Sequence, residues 1–388
     1  MHTPLAWHNL TSSRGKFAMA SCGVAFAVIL MFMQIGFRNA LLDSNVEMLK
    51  LFNADLVLVS RARFNLANET RFPREILDRV AALPGVADTC AVAIERAVAK
   101  VRVEGHTSRS IRVMCVRPSP KFFQDQSLVR LLNEAHREGY ALVDRRSKSL
   151  YGFALDDEAE LARQHIELND QSLKVRDTFS LGTDFAHDGT LMMTERIFPK
   201  YFPWRAPGAS PLDVVDIGLI NTHGTRDIAN LRDEILKLAP GQIDLYAMHE
   251  IIDRDLKFWS RNTPIGVIFG IGTIMGLIVG AIICYQIQFT DISDHMPELA
   301  TLKAMGYSAG YFWSLVLCQS IYLACLGFIP GLIVSWAVYM TLAELSGLVM
   351  RMTVGRIVLV LGLTLMMCVA SGILAIRKLW RADPASLF

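Results

Sequence analysis

No GxxxxGK[ST] phosphate loop occurs in these 388 residues: the one Gly-Lys pair, Gly15-Lys16, has no glycine at the required upstream position. Energy from ATP, where it is used, is therefore expected to come from another polypeptide. Metal spacing is missing too, with no CxxC and no Cys/His pairing at ligand intervals. Five of the seven cysteines, Cys22, Cys284, Cys318, Cys325 and Cys368, fall in apolar runs, where a thiol behaves as a small hydrophobe. Only Cys90 and Cys115 lie in polar sequence, and a disulfide between them and two buried thiols are both open. GxSxG and HExxH are absent. Asp184, His187 and Asp188 in TDFAHDGT have metal-ligand chemistry, but turn-forming acids beside an exposed histidine are the commoner meaning of such a string. His106, His136, His165, His223 and His249 are scattered through polar segments and read as solvated. Catalysis, a resident metal and a cofactor are not expected.

Charge is missing where the sequence is most apolar. Four nearly charge-free runs, Phe17 to Ile35, Ile265 to Ile287, roughly Trp313 to Met340, and Ile357 to Ile376, are each long enough to cross about 30 Å of hydrocarbon at about 1.5 Å per residue. The stretch between the first two is as polar as an ordinary soluble domain. The expected fold is a membrane protein with four transmembrane α-helices and a large α+β extracytoplasmic domain inserted between the first and second. The formal net charge of +2 says little about partners, because charge is distributed by topology, and no nucleic-acid partner is expected. Arg14 and Lys16 precede the first span, and Arg377, Lys378 and Arg381 follow the last. Four spans put both termini on one side, and the positive-inside rule makes that side the cytoplasm. The loop carrying Arg351 and Arg356 runs against the rule, but the termini and the even span count outweigh it. The first run is longer than a signal-peptide core and no small-x-small site follows in QIGFRNALLD, so it reads as an uncleaved anchor. The expected boundaries are a cytoplasmic N-terminus (1–16), spans at 17–37, 263–287, 313–340 and 357–376, the inserted domain (38–262), a cytoplasmic loop (288–312), a short external loop (341–356) and a cytoplasmic tail (377–388).

Phe37, Leu41, Leu42, Val46, Leu49 and Phe52 recur at helical spacing, which extends the first span out of the membrane as a stalk. HEIIDRDLKFWSRNTP reads as a second stalk descending to the second span, with Trp259 and Arg261 as interfacial anchors and Pro264 at the start of the span. Between the stalks, strands are expected at 55–59, 90–103, 110–116, 140–144, 172–181 and 214–220. Helices are expected at 73–83 and 225–239, the latter capped by Thr225 and stopped by Pro240-Gly241. A less regular middle, about 121–211, reads as an inserted subdomain.

Gly272, Gly276 and Gly280 form overlapping GxxxG repeats, and Gly266 with Gly270 adds another out of phase. Glycines four apart share a helix face and admit a second backbone, from the same chain or from a second copy. GFIPG places Pro330 and Gly331 inside the third span, where a lost backbone donor predicts a kink or hinge. The segment TDISDHMPELATLKAMGYS is built for docking. Ser293 or Asp294 caps a short helix, Leu299, Leu302 and Met305 form an apolar strip against Glu298 and Lys303, and Gly306 ends it. A helix lying on the membrane surface would favour basic residues on its polar face, whereas Asp291, Asp294 and Glu298 outnumber Lys303 here. The near absence of ionisable residues in the spans argues against a channel or an ion-coupled transporter.

One span, a large external domain, then three spans with a cytoplasmic helix after the second resembles the MacB/FtsX/LolC-type (type VII) ABC-transporter permeases, most closely the DevC branch. The resemblance covers nearly the whole chain and is carried by MFMQIGFRNAL (31–41), ADLVLVS (54–60), DTFSLGTDFAHDGTLMMT (177–194), VDIGLI (215–220), residues 263–308, GFIPG (327–331) and RKLWRADPASLF (377–388). It implies a homodimer in a bacterial inner membrane with two copies of a cytoplasmic ABC ATPase, contacting membrane lipids. It further implies a periplasmic adaptor (a membrane-fusion protein) leading to a TolC-like outer-membrane duct. In such systems the segment matching Asp291 to Ser308 is the coupling helix seated in the ATPase. ATP-driven closure would tilt the spans and compress the external domains, a mechanism called mechanotransmission. The expected cargo is a lipid, glycolipid or other amphiphile. The alternative is an FtsX-like transmitter that controls a periplasmic partner without transport. A sensor would need a cytoplasmic output domain, for which no segment is long enough.

Overall fold

The computed structural model describes residues 14–184, 186–224 and 228–381. Two compact units emerge: Met1–Asn39, Pro264–Thr341 and Met350–Phe388 form one, and Ala40–Thr263 with Leu342–Val349 form the other. The helices in chain order are α1 (Arg14–Lys50), α2 (Arg74–Ala81), α3 (Gln126–Glu138), α4 (Glu158–Leu161), α5 (Phe198–Tyr201), α6 (Ile228–Leu238), α7 (Met248–Arg261), α8 (Pro264–Asp294), α9 (Met296–Ala304), α10 (Ala309–Ser346) and α11 (Val354–Arg381). Among the described residues, α1, α8, α10 and α11 are long and apolar enough to cross a membrane. Even the shortest apolar stretch, the 24 residues of Val354–Arg377, extends about 36 Å at 1.5 Å per residue. All four helices overrun the expected span limits at one or both ends. Backbone hydrogen bonding carries a helix past the last apolar residue until a glycine or proline stops it. The RKLWRADPASLF tail lies mostly outside the described residues, as does the expected cap Thr225.

The α+β unit is built on strands β1 (Leu56–Ser60), β2 (Phe72–Pro73), β3 (Val86–Glu95), β4 (Lys100–Val103), β5 (Arg109–Ser110), β6 (Arg112–Val116), β7 (Ala141–Asp144), β8 (Ile166–Leu168), β9 (Gln171–Leu173), β10 (Val175–Phe179), β11 (Thr190–Thr194), β12 (Val214–Val215), β13 (Ile217–Thr222) and β14 (Ile243–Ala247). The main sheet runs β10-β7-β11-β6-β3-β13-β1-β14. β7 and β10 pair in parallel, as do β6 and β11, and the other neighbours are antiparallel. A four-stranded sheet, β5-β4-β8-β9, and the pair β12-β2 complete it. The stretch 121–211, expected as an inserted subdomain, has no sheet made only of its own strands: β7, β10 and β11 join the main sheet, and β8 pairs with β4, which precedes residue 121, while β9 pairs with β8. Strands this short, separated by polar turns, leave little periodicity to read, and their pairing is decided by long-range contacts.

Alternation along the strands creates two faces. On one face, Val57, Val59, Cys90, Val92, Ile94, Met114, Val116, Ile217 and Leu219 pack with α3. Val46, Leu49 and Phe52 from the tail of α1 and Ile251 from α7 belong to that same core. Both stalks are thus part of the hydrophobic core of the sheet rather than tethers to it. Cys115 packs in the cluster on the other face, so it and Cys90 point away from each other although their strands are neighbours, and both thiols are free. Helix α3 carries the cues of a solvent-facing helix. Asp125 accepts from the Ser127 N–H at 2.8 Å, Leu128, Val129, Leu132 and Ala135 are buried, and Gly139 closes it at φ +80°.

Candidate functional site: the short helix and the span ends beneath it

The expected docking segment begins later than its capping residues suggest. α8 continues without a break through Ser293 to Asp294, and α9 starts only at Met296. Gly306, at φ +92°, reverses the chain, a conformation that a side chain would strain. On α9, Glu298 is exposed and Met305 is 64% exposed. Leu302 instead packs on a small core of Ile292, Phe312, Val316, Ala375 and Ile376. Leu299 and Lys303 lie on the same helix, but the placement of their side chains falls outside what is described. Asp294 is exposed, whereas Asp291 turns inward, its carboxylate accepting from Gln319 Nε2 of α10 at 2.9 Å. Asp291 was expected on the docking face. At the end of an apolar span a carboxylate is held better by a neighbouring helix's donor than by an exposed position one turn away.

Beneath α9 the span ends are joined by neutral polar groups. Gln288 Nε2 donates to the Cys368 carbonyl at 2.9 Å, and Ser320 Oγ donates to Gln288 Oε1 at 2.8 Å, linking α8, α11 and α10. Gly372 makes the room: a Cβ there would lie 2.5 Å from both Gln288 Oε1 and Ser320 Oγ. Ser371 Oγ donates to the Ala281 carbonyl at 2.9 Å, adding a second tie between α11 and α8. The sequence signal for this belt was available: glutamines and a serine inside long apolar runs must find partners in the absence of water.

Gly272, Gly276 and Gly280 face other helices of the same chain. A Cβ on Gly272 would lie 2.4 Å from Gln34 Oε1, on Gly276 3.6 Å from Leu30, and on Gly280 2.6 Å from the Ala27 Cβ. Gly270 has nothing within 4 Å, and Gly266 is half-buried. α10 contains Pro330, the position of the expected kink or hinge, in its interior. Gly327 and Gly331, four residues apart, bring its backbone against α1, where added Cβ atoms would sit 2.4 Å from Val24 Cβ and 2.8 Å from Val28 Cγ1.

The α+β unit holds its own charged interior. Asp216 pairs with Arg63 at 3.2 Å and with Arg205, and Glu95 lies 2.6 Å from both Arg71 and Arg205. Burial pushes the Glu95 carboxyl above its usual range, against the pull of Arg205 and Arg71. Burial also opposes ionisation of Asp184, but the Arg112 guanidinium, with His187 and Arg96, holds it well below the usual carboxylate range. Asp188 turns away to Lys148 at 2.5 Å, and no group of three or more metal-ligating side chains occurs among the described residues. Asp144, fully buried, accepts from the N–H groups of Leu181, Gly182 and Arg146 at 3.0, 2.7 and 3.1 Å, pinning that loop. Against the pinned loop rests a strap. The Thr183 N–H donates to the Gly347 carbonyl at 3.2 Å and Thr183 Oγ1 to the Ser346 carbonyl at 3.0 Å, while Leu348 and Val349 are buried. Residues 342–349, expected as part of a simple loop between spans, are therefore a packed piece of the α+β unit.

Residues 270–384, which contain most of α8, the short helix and the two following spans, match the family described as FtsX-like permease C-terminal. Among the described residues four helices are long and apolar enough to cross a membrane, and the α+β unit lies mainly between the first and second of them in sequence. Two solved structures resemble part of this chain. One is the periplasmic region of MacB from Actinobacillus actinomycetemcomitans, 9% identical over 53% of this chain and 93% of that one, with a TM-score of 0.36. The other is the extracellular domain of the noncanonic ABC-type transporter YknZ from Gram-positive bacteria, 12% identical over 50% of this chain and 98% of that one, with a TM-score of 0.32. No curated protein sequence matches this chain.

Proposed function

We propose that this permease is the membrane subunit of a tripartite ABC exporter that works by mechanotransmission, in the manner of the DevC branch. Two copies in an inner membrane, termini in the cytoplasm, engage two copies of a separate ATPase through α9. A periplasmic adaptor and a TolC-like duct receive the cargo, a lipid, glycolipid or other amphiphile. The observation that carries the reading is the seating of α9. It exposes Glu298 and Met305 while Leu302 beside them is packed into the span ends, so a push on the outer face reaches the spans without slack. From there Asp291–Gln319 and the Gln288–Ser320–Cys368 belt distribute the load over α8, α10 and α11. The tail of α1 and α7 belong to the core of the α+β unit, so their movement is the movement of that unit. The buried polar side chains of the spans are uncharged and hydrogen-bonded within the protein, which favours transmission over passage of a polar cargo between the helices.

The test is co-purification with the ATPase and measurement of permease-stimulated ATP turnover. Glu298→Arg and Met305→Asp, both at exposed positions, are expected to abolish stimulation while the permease remains folded. Unchanged binding and turnover in both variants would rule out α9 as the docking element. The non-transporting alternative predicts a periplasmic hydrolase, rather than an adaptor, bound to the extracytoplasmic domain.

A further inference from the structure

Among the large apolar side chains exposed on the α+β unit, Phe64 is held out by a loop fixed from beneath. Its ring is 60% exposed, yet the loop that carries it is fixed on both sides. On one side the Arg63 carbonyl accepts from Arg254 Nη2 at 3.0 Å. On the other the Leu66 N–H donates to the buried Asp255 carboxylate at 2.7 Å. Arg63 itself turns inward, donating to the Leu66 and Thr70 carbonyls at 3.3 and 2.8 Å and pairing with Asp216. With its neighbours anchored by buried charged groups, the loop has no freedom to fold Phe64 inward.

The ring does not stand alone. It lies 5.8 Å from Phe258, and Phe258 meets Trp259 edge-on at 5.8 Å. These aromatics come from loop and helix positions nearly two hundred residues apart, and Phe258 is only six residues before Pro264, where the second span begins. Exposed Lys257 and Arg261 flank them on α7. Aromatic rings with long basic side chains, one or two turns from the start of a span, have the chemistry of the membrane interface, where the rings sit among headgroups and the cations reach phosphate.

We infer that Phe64, with Phe258 and Trp259, forms a contact by which the extracytoplasmic domain rests on the phospholipids of the outer leaflet. The bilayer covers the apolar ring that water would otherwise face. The contact adds a footing to the domain that does not come from a span, and it holds whichever cargo the permease moves.

The experiment places p-benzoylphenylalanine at position 64 of the full-length permease, reconstituted in nanodiscs of phosphatidylethanolamine and phosphatidylglycerol, and at position 204 as a control. Trp204 is also exposed, at 47%, but belongs to a different aromatic group, beside Phe202. Both sites are at the surface, and gel filtration checks that both variants remain intact. After irradiation, mass spectrometry is expected to find phospholipid joined to residue 64 with a yield several-fold above that at residue 204. Equal yields at the two positions, no lipid adduct at 64, or a crosslink from 64 to a second permease copy would each overturn the inference.

Discussion

The two units of this chain bury polar groups by opposite rules. In the α+β unit Arg63, Glu95, Arg96, Arg112, Asp144, Arg205, Asp216 and Asp255 are all buried. Among the described residues of the membrane unit, every buried polar side chain is neutral: Gln288, Gln319, Ser320, Ser335, Thr364 and Ser371. The domain folds from water, where a charged cluster can be assembled with its partners, and once closed it fixes a single arrangement of loops. The span bundle is already surrounded by hydrocarbon before its helices associate. Hydrophobicity alone does not hold such helices together, so close backbone approach at glycines and a few neutral hydrogen bonds must do so. The lesson is that rigidity comes from charge in one unit and from the absence of side chains in the other.

The contrast is broken most severely at Asp216. Asp216→Ala leaves Arg63 and Arg205 buried without their shared carboxylate and is expected to destabilise the domain by about 3–5 kcal/mol, read as a large drop in the unfolding temperature of the full-length protein. A loss below about 1 kcal/mol would mean that the cluster is not what organises the loops. The membrane side is broken by bulk rather than by charge. Gly327→Val must displace α10 from Val24 and is expected to cost about 1–3 kcal/mol. Gly362→Val, on a glycine with nothing within 4 Å, should be tolerated in the same thermal aggregation assay in detergent. Equal damage at both positions would discredit the glycine seam. The smallest effect is expected at Ser320→Ala, which removes one donor to Gln288 and should cost on the order of 0.6 kcal/mol. A loss as large as that at Asp216 would show that the two units are less different than their compositions.

Much of the architecture could be read without coordinates. The four spans, both stalks, most long strands and α9 follow from runs, periods and turn residues whose meaning is local. Helix α3 was equally available in QSLVRLLNEAHREG, with Asp125 before it and Gly139 after it, but it sits in a stretch whose short strands obscure it. β8, β11 and β14 were hidden for a different reason: three to five residues cannot show a period, and they pair with strands remote in sequence. At the site, the position of α9 was legible and the direction of its side chains was not. Asp291 reads as one more acid on a docking face until Gln319, 28 residues later, is seen to claim it. The glycines of the second span announce a close neighbour, yet only the fold reveals that Gln34, Leu30 and Ala27 of the first span fill the space.

The strap at 342–349 bears on where this protein can be divided. A soluble fragment cut at the obvious limits, residues 40–263, would lack Leu348 and Val349 and would leave Thr183 without the carbonyls of Ser346 and Gly347. Its surface would gain an apolar seat and an open hydrogen-bonding edge that the whole chain never presents. The domain is thus not a detachable module but a piece completed by sequence borrowed from beyond the next two spans, and a tag or insertion placed in that late loop would be an insertion into the domain's own interior.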